Sequence, residues 1–494
     1  MSHTRAPHVL ILPFPLMGHT IPLLDLAHQL SHRGLSVTIH VTADTLPLLS
    51  SSPSFQTLFL PIPAAEVANG DSFLATFVGT GSLHDLILQW AKAHESPPSL
   101  IVSDFFLGWT RRLAGQLGVP RVVFSPSGAL TISLINSLFE HLPKRAGPMD
   151  FPGLPGSPTF PWYQLPLLIR DYVEGDPTSE FMRDGMLDNV ASWGIIVNSF
   201  TRLEGDYLRH LEKNYGSGRV WAVGPLGLGG PSERGGPSSV PVDDVLRWLD
   251  GCPDGSVVYI CFGSLVELGS DQIEAIAAAL ELSGVRFLWA YKAHDDGGPK
   301  GQVGERGLII RGWAPQVAIL NHRAVGSFLT HCGWNSTLEA ITAGVPLLAW
   351  PMAADQYFTA RLLEESSLLL FHGAAVHNSF SLLKMNNGIM NTLVSDTAMK
   401  NRQYKYTIQD DDETITLKTK IVTTTITDIL FDEQPLAIYI INNVLEPREL
   451  FKVPEVGHLP PPCPGRTAQP RPPPRSQRGS QMMIRPRTQV GQRR

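Results

Sequence analysis

Cysteine is scarce. The chain holds four (Cys252, Cys261, Cys332 and Cys463), none in C-x-x-C spacing. That is too few for a disulfide scaffold or a structural zinc site, and it suits a reducing compartment. Long apolar runs are also missing: none approaches the roughly 20 residues that cross a bilayer. The stretch Val9 to Met17 is broken by Pro13 and Pro15, unlike a secretory leader. A cytoplasmic protein without a membrane span is therefore expected. Basic charge is not in excess, with 39 Lys+Arg against 45 Asp+Glu and a formal charge of −6, which argues against a nucleic-acid partner. Tryptophan is absent from the last 144 residues, all ten lying between Trp90 and Trp350. Acid is absent from residues 456–494, which carry eight arginines, so the first 455 residues stand at −14. The whole chain is 43% hydrophobic and 17% charged, enough to bury large cores, and 494 residues suggest two to four domains.

The order of elements points to an α/β fold. Val9–Phe14 is a short apolar run of the kind that makes a buried parallel strand. A helical pattern follows from Thr20 to Arg33, with Leu23, Leu26, Ala27 and Leu30 on one face, Thr20 as the expected N-cap and Gly34 as the stop. Ser36–Val41 then completes a βαβ unit. Further strands are expected at Leu100–Val102, Val122–Phe124 and Gly194–Asn198. From Gly224-Pro225 to Pro241 the chain is rich in Gly, Pro and Ser, with little that could pack. The alternation then restarts with strand Val257–Cys261, helix Asp271–Leu282, strand Arg286–Ala290, helix Ala314–Asn321, strand Gly326–Leu329, helix Trp334–Thr342 and strand Leu347–Trp350. Two doubly wound halves joined by a linker commonly hold a ligand between them, at the carboxyl ends of strands.

The chemistry concentrates between Trp313 and Gln356. His331-Cys332-Gly333-Trp334-Asn335-Ser336 reads as a strand-to-helix turn whose exposed N–H groups and positive helix end suit an anion. His331, Asn335 and Ser336 add donors. Trp313 and Trp334 offer flat faces for a base and a sugar ring, Glu339 can accept from ribose hydroxyls, and Asp355-Gln356 can meet sugar hydroxyls. Neither a Walker loop nor G-x-G-x-x-G is present in this stretch.

This segment closely resembles the C-terminal signature box of plant secondary-product UDP-glycosyltransferases. The resemblance implies the GT-B arrangement, two Rossmann-like domains facing across a cleft. Position by position it implies that Trp313 stacks on uracil, Ala314 meets the base through its backbone, and Gln316 and Glu339 hold the ribose. It assigns His331, Gly333, Asn335 and Ser336 to the diphosphate, with Ser264 near the phosphates, and Trp334, Asp355 and Gln356 to the sugar. A Gln at the last position implies glucose. In the N-terminal half, Gly18-His19 resembles the catalytic histidine and Asp104 its partner. The implied activity is inverting transfer of a sugar from UDP-glucose or a related UDP-sugar to a hydroxyl of a small phenolic or flavonoid-like acceptor. His19 would be general base and Asp104 its orienting partner, with no cofactor and no metal. The acceptor pocket is expected from loops after Phe14, Val102 and Phe124, and a monomer is expected.

Plainer readings apply to several residues. Trp109 and Trp350 are expected in cores. Cys332 beside His331 has no second pair for a metal, and Asn335-Ser336-Thr337 matches a glycosylation acceptor only formally. The resemblance covers residues 8 to 365, about three-quarters of the chain, and nothing of the family is recognised beyond His372. The implied division is an acceptor-binding domain (1–223), a linker (224–242), a shortened UDP-sugar-binding domain (243–371), an atypical segment (372–455) and a Pro/Arg-rich tail (456–494) expected to be irregular or disordered. Thr414–Ile429 alternates like a strand without an obvious partner. A non-native end, from a retained intron or a frame change, is the favoured reading of that region. A catalytically impaired UDP-binding relic is accordingly the alternative function, and a UDP-sugar epimerase a distant third.

Overall fold

The computed structural model describes residues 6–49, 54–67, 71–142, 147–227, 234–235, 238–266, 268–292 and 306–365, and the backbone of five strands between 388 and 441. Nine strands come first: β1 (His8–Leu12), β2 (Ser36–Val41), β3 (Gln56–Phe59), β4 (Leu100–Asp104), β5 (Arg121–Ser125), the short pair β6 (Met149–Asp150) and β7 (Thr159–Phe160), β8 (Gly194–Val197) and β9 (Val220–Ala222). Five more follow: β10 (Val257–Cys261), β11 (Arg286–Tyr291), β12 (Gly307–Arg311), β13 (Val325–Thr330) and β14 (Leu347–Ala349).

Two parallel sheets result. The first has seven strands in the order β3-β2-β1-β4-β5-β8-β9, the second five in the order β12-β11-β10-β13-β14. Both reverse direction of strand order at one place, between β1 and β4 and between β10 and β13. Crevices at the carboxyl ends of strands open at such switch points. Their strands are near-continuous apolar runs because helices cover both faces: every residue of β1 and β5 is buried.

The first helix begins earlier than its sequence pattern suggests. It spans Met17–His32 with Leu16 at the N-cap, so Gly18 and His19 lie in its first turn. Thr20 is not a cap. Its hydroxyl instead donates to the Phe14 carbonyl at 3.0 Å, tying the helix back to the end of the strand segment. Gly34 ends the turn with φ +85°, a conformation open to glycine at no steric cost.

The helix Trp334–Ala343 binds the two sheets into one body. Its Trp334 and Leu338, with Phe358 and Leu362 from the helix Gln356–Glu365, pack into the apolar core built on the first sheet. Ala340 and Leu363 on the same two helices face the core of the second. Trp350 packs edge-on against Phe262 and Trp109 lies against the first core, both as expected.

Beyond Glu365 the described backbone is an antiparallel sheet of β15 (Gly388–Asn391), β16 (Lys405–Asp410), β17 (Ile415–Lys418), β18 (Thr423–Glu433) and β19 (Leu436–Ile441), paired in sequence order. The alternating Thr414–Ile429 stretch therefore has partners: β17 pairs with β16 and β18, and β18 with β19. The Pro/Arg-rich tail lies outside the described residues, as do residues 228–233 and 236–237 of the linker. No helix among the described residues is long and apolar enough to cross a membrane.

Candidate active site

The two switch points supply the site. β1 leads into the helix that carries His19, and its neighbour β4 ends on Asp104. Asp104 is fully buried and its Oδ2 lies 2.8 Å from His19 Nδ1, while its Oδ1 accepts from the Phe106 N–H at 2.9 Å. The imidazole is flanked by Phe105 and Phe106, with Phe14 at its edge. A carboxylate on Nδ1 fixes the tautomer that carries its proton there and leaves the Nε2 lone pair as a base.

Behind Asp104 sits Arg121, the first residue of β5, wholly enclosed. Its guanidinium donates to the Ser103 and Ser192 hydroxyls, to Asn189 Oδ1 and to the Leu107 carbonyl at 2.7–3.2 Å. Burial pulls it down to about 10. These bonds pin the turn that follows Asp104.

In the second sheet β13 runs into His331, Cys332 and Gly333, and the helix starts at Trp334. The His331 ring occupies a slot between two turns. A Cβ at Gly333 would stand 2.4 Å from its Nε2, and one at Gly263, where φ is +75°, would stand 2.5 Å away. Only glycine at both positions admits the ring. Burial lowers the imidazole to about 4, so it is neutral at physiological pH. Cys332 has φ +64° and its thiol is pushed up to about 12 by burial, which removes it from thiolate or metal chemistry near neutrality. Among the described residues no group of His, Cys, Asp and Glu could hold a metal ion. Ser264 lies on the turn after β10, half-buried.

Asn335 Nδ2 donates to the Gly18 carbonyl at 2.9 Å, joining the first turn of one helix to the first turn of the other. Two positive helix ends thus converge beside His19, an arrangement that favours an anion. Farther along, Gln316 Nε2 donates to Ser336 Oγ and to Glu339 Oε2 at 3.0 and 2.9 Å, and its Oε1 accepts from the Tyr259 hydroxyl. Ala314 is buried, and its carbonyl accepts from the Gln316 N–H. Trp313 lies at the edge of the same network, half-buried.

Trp334 differs from its sequence reading. Its indole is 4% exposed and donates to the Asn198 carbonyl at 2.7 Å, within the first core, so it presents no flat face to a sugar ring. The group it can offer a ligand is its backbone N–H, an orphan donor of the helix start. Gln356 likewise is not a free acceptor. Its Oε1 takes the N–H groups of Met352 and Ala353, leaving Nε2 as a donor. Asp355 Oδ2 accepts from Ser127 at 2.6 Å, and burial raises its carboxyl.

Four residues of this assembly escape the sequence reading: Arg121, Ser127, Glu204 and Arg234. Glu204 is buried. Its two oxygens accept the N–H groups of Ala129 and Leu130 at 2.8 Å, and the Ser199 hydroxyl donates to one of them, fixing the Ser127 turn. The Ser125-Pro126-Ser127-Gly128 turn at a strand end was the available signal. Arg234 came from a stretch expected to pack little, yet its side chain is 9% exposed.

Comparison with known proteins follows the same outline. Residues 244–410 match the family model for UDP-glucoronosyl and UDP-glucosyl transferase, farther along the chain than the His372 limit of the resemblance. The chain is 48% identical over 388 residues to Flavonol 3-O-glucosyltransferase UGT89B1 of Arabidopsis thaliana, covering 72% of this chain and 81% of that protein. It is 47% identical over 392 residues to UDP-glycosyltransferase 89B2 of Stevia rebaudiana, covering 72% and 83%. Among solved structures, Arabidopsis thaliana UGT89C1 complexed with UDP-L-rhamnose superposes with a TM-score of 0.60 at 36% identity, over 73% of this chain and 83% of that one. The two doubly wound sheets are thus those of the GT-B fold. The chain belongs to the plant UDP-dependent glycosyltransferases and is a UDP-dependent hexosyltransferase.

Proposed function

We propose that the chain transfers a sugar, preferentially glucose, from a UDP-sugar to a phenolic hydroxyl of a flavonol-like acceptor with inversion at the anomeric carbon. Residues 1–223 would hold the acceptor and 243–371 the donor. The observation that carries this reading is the His19–Asp104 pair, 2.8 Å apart, set beside the two converging helix starts.

His19 Nε2 takes the acceptor proton as the hydroxyl oxygen bonds to the anomeric carbon from the face opposite the diphosphate. The bond from that carbon to the diphosphate oxygen breaks, and UDP leaves. A positioned base of this kind contributes on the order of 10²–10⁴-fold. Asp104, itself buried, favours the imidazolium that forms. Charge on the leaving diphosphate is met by the helix N–H groups at Gly333 to Ser336, by Ser264 and by neutral His331. No metal enters this scheme. Trp313 and Ala314 serve the base, Gln316 and Glu339 the ribose, and Asp355, Gln356 Nε2 and the Trp334 N–H the sugar.

The names of the relatives support the acceptor class and divide on the sugar, glucose in one and UDP-L-rhamnose in another. Purified protein incubated with UDP-glucose or UDP-L-rhamnose and a flavonol, with products resolved by mass and by anomeric proton coupling, decides between them. A β-glucoside from the α-linked donor is expected. An α-glucoside would refute inversion, and UDP binding without any glycoside would revive the relic alternative, which the intact His19–Asp104 pair does not favour. Free UDP with an isomerised sugar would point to the epimerase. A monomeric, cytoplasmic protein completes the proposal, testable by sedimentation and cell fractionation.

A further inference from the structure

The segment between the two sheets reaches into the donor half of the site. Arg234 Nε and Nη2 donate to Asp25 Oδ2 at 2.9 and 2.7 Å, and its Nη1 is paired with Glu339 Oε1. Asp25 belongs to the helix that carries His19, Glu339 to the helix that starts at Trp334. All three side chains are nearly enclosed, at 9%, 14% and 11% exposure. The next residue, Gly235, lies against Trp313, since a Cβ there would stand 2.2 Å from the indole. Ser239 N–H and Ser238 Oγ donate to the Trp313 carbonyl at 2.8 and 3.2 Å.

We propose that Arg234 is a positioning residue for the nucleoside half of the donor, holding Glu339 oriented toward the vicinal hydroxyls of ribose. The inference rests on the assignment of Glu339 to the ribose. Glu339 has two oxygens. Gln316 fixes Oε2 and Arg234 fixes Oε1, and each oxygen keeps a lone pair for one hydroxyl. The planar guanidinium fork suits this task because it can engage both carboxylates at once, which an ammonium cannot match. Arg234 also opposes the burial that drives the Glu339 carboxyl upward, keeping an acceptor where hydroxyl donors arrive. Without it, Asp25 and Glu339 lose the cation they share, and a proton on Glu339 becomes favourable.

Calorimetric titration with UDP and with 2′-deoxy-UDP tests this without needing an acceptor or turnover. The wild-type chain should prefer UDP, on the order of 10-fold or more for a hydroxyl given to a charged group. Glu339→Gln should lose that preference, and Arg234→Met should lose it to within about two-fold of Glu339→Gln. Arg234→Lys should recover part of it, and serves as the test if the Met variant fails to fold. If Glu339→Gln keeps the preference, the ribose assignment falls and this inference with it. If Glu339→Gln loses it while Arg234→Met or Arg234→Lys retains the full wild-type ratio, the ribose assignment stands and Arg234 is only an interdomain clip.

Discussion

His331 ties the stability of the fold to pH in a way that one substitution can isolate. Its imidazole falls from an ordinary value near 6.5 to about 4 because the slot between Gly263 and Gly333 excludes water. The unfolded chain therefore binds a proton at this position across a window, from 6.5 down to 4, in which the folded chain does not. Stability is complete above pH 6.5 and falls as pH drops, by about 1.4 kcal/mol per unit inside the window. The full loss is about 3 kcal/mol below pH 4, and about 2 kcal/mol is already gone at pH 5. Denaturant unfolding of wild type and His331→Gln, measured at intervals from pH 8 to pH 5, should show the two curves converging by that amount as pH falls. His8, His28, His40 and His210 are also lowered by burial, but they titrate in both proteins and cancel in the difference. Parallel curves over the whole range would refute the argument, since they would mean that the slot does not exclude the charged ring.

Asp104→Asn should leave UDP affinity within about two-fold and lower kcat on the order of 10²–10⁴-fold, because the proton-accepting tautomer of His19 is no longer enforced; steady-state assays of UDP release check this. Gly333→Ala keeps an allowed backbone, with φ −59° and ψ 141°, so its whole effect is the new methyl against His331. A cost of about 1–3 kcal/mol and weaker UDP binding are expected, read by thermal unfolding and calorimetry. Glu204→Gln would aim an amide donor at the N–H groups of Ala129 or Leu130, where only acceptors fit. It should destabilise by about 1–3 kcal/mol in denaturant unfolding.

The βαβ rhythm was legible because parallel strands covered on both faces are written as short apolar runs. β2 and β10 have the limits their residues suggest. β3, with exposed Gln56, Thr57 and Phe59, carries no such run and is visible only through its pairing with β2. The start of the first helix is not legible because Leu16, which has no side chain able to cap, precedes it, whereas Thr20 is the better cap by residue type. The residues from Trp313 to Gln356 could be singled out from types and spacing, and His19 and Asp104 through the resemblance those residues carry. Whether a side chain is free to meet a ligand could not. Trp334 and Gln356 lose groups to distant Asn198 and to a local turn, and Arg234 gains two partners more than 100 residues away from it. Such pairings depend on which distant segments the fold brings together.

The indole bond from Trp334 to the Asn198 carbonyl has an implication for how the enzyme can be divided. The helix that starts at Trp334 is seated by a strand end of the other sheet, and Asn335 is seated by Gly18. A fragment holding only the second sheet would expose Trp334, Leu338, Phe358 and Leu362 as an uncovered apolar face. Grafting a new first half onto the second sheet is therefore a problem of matching that face first. The two sheets are inherited together.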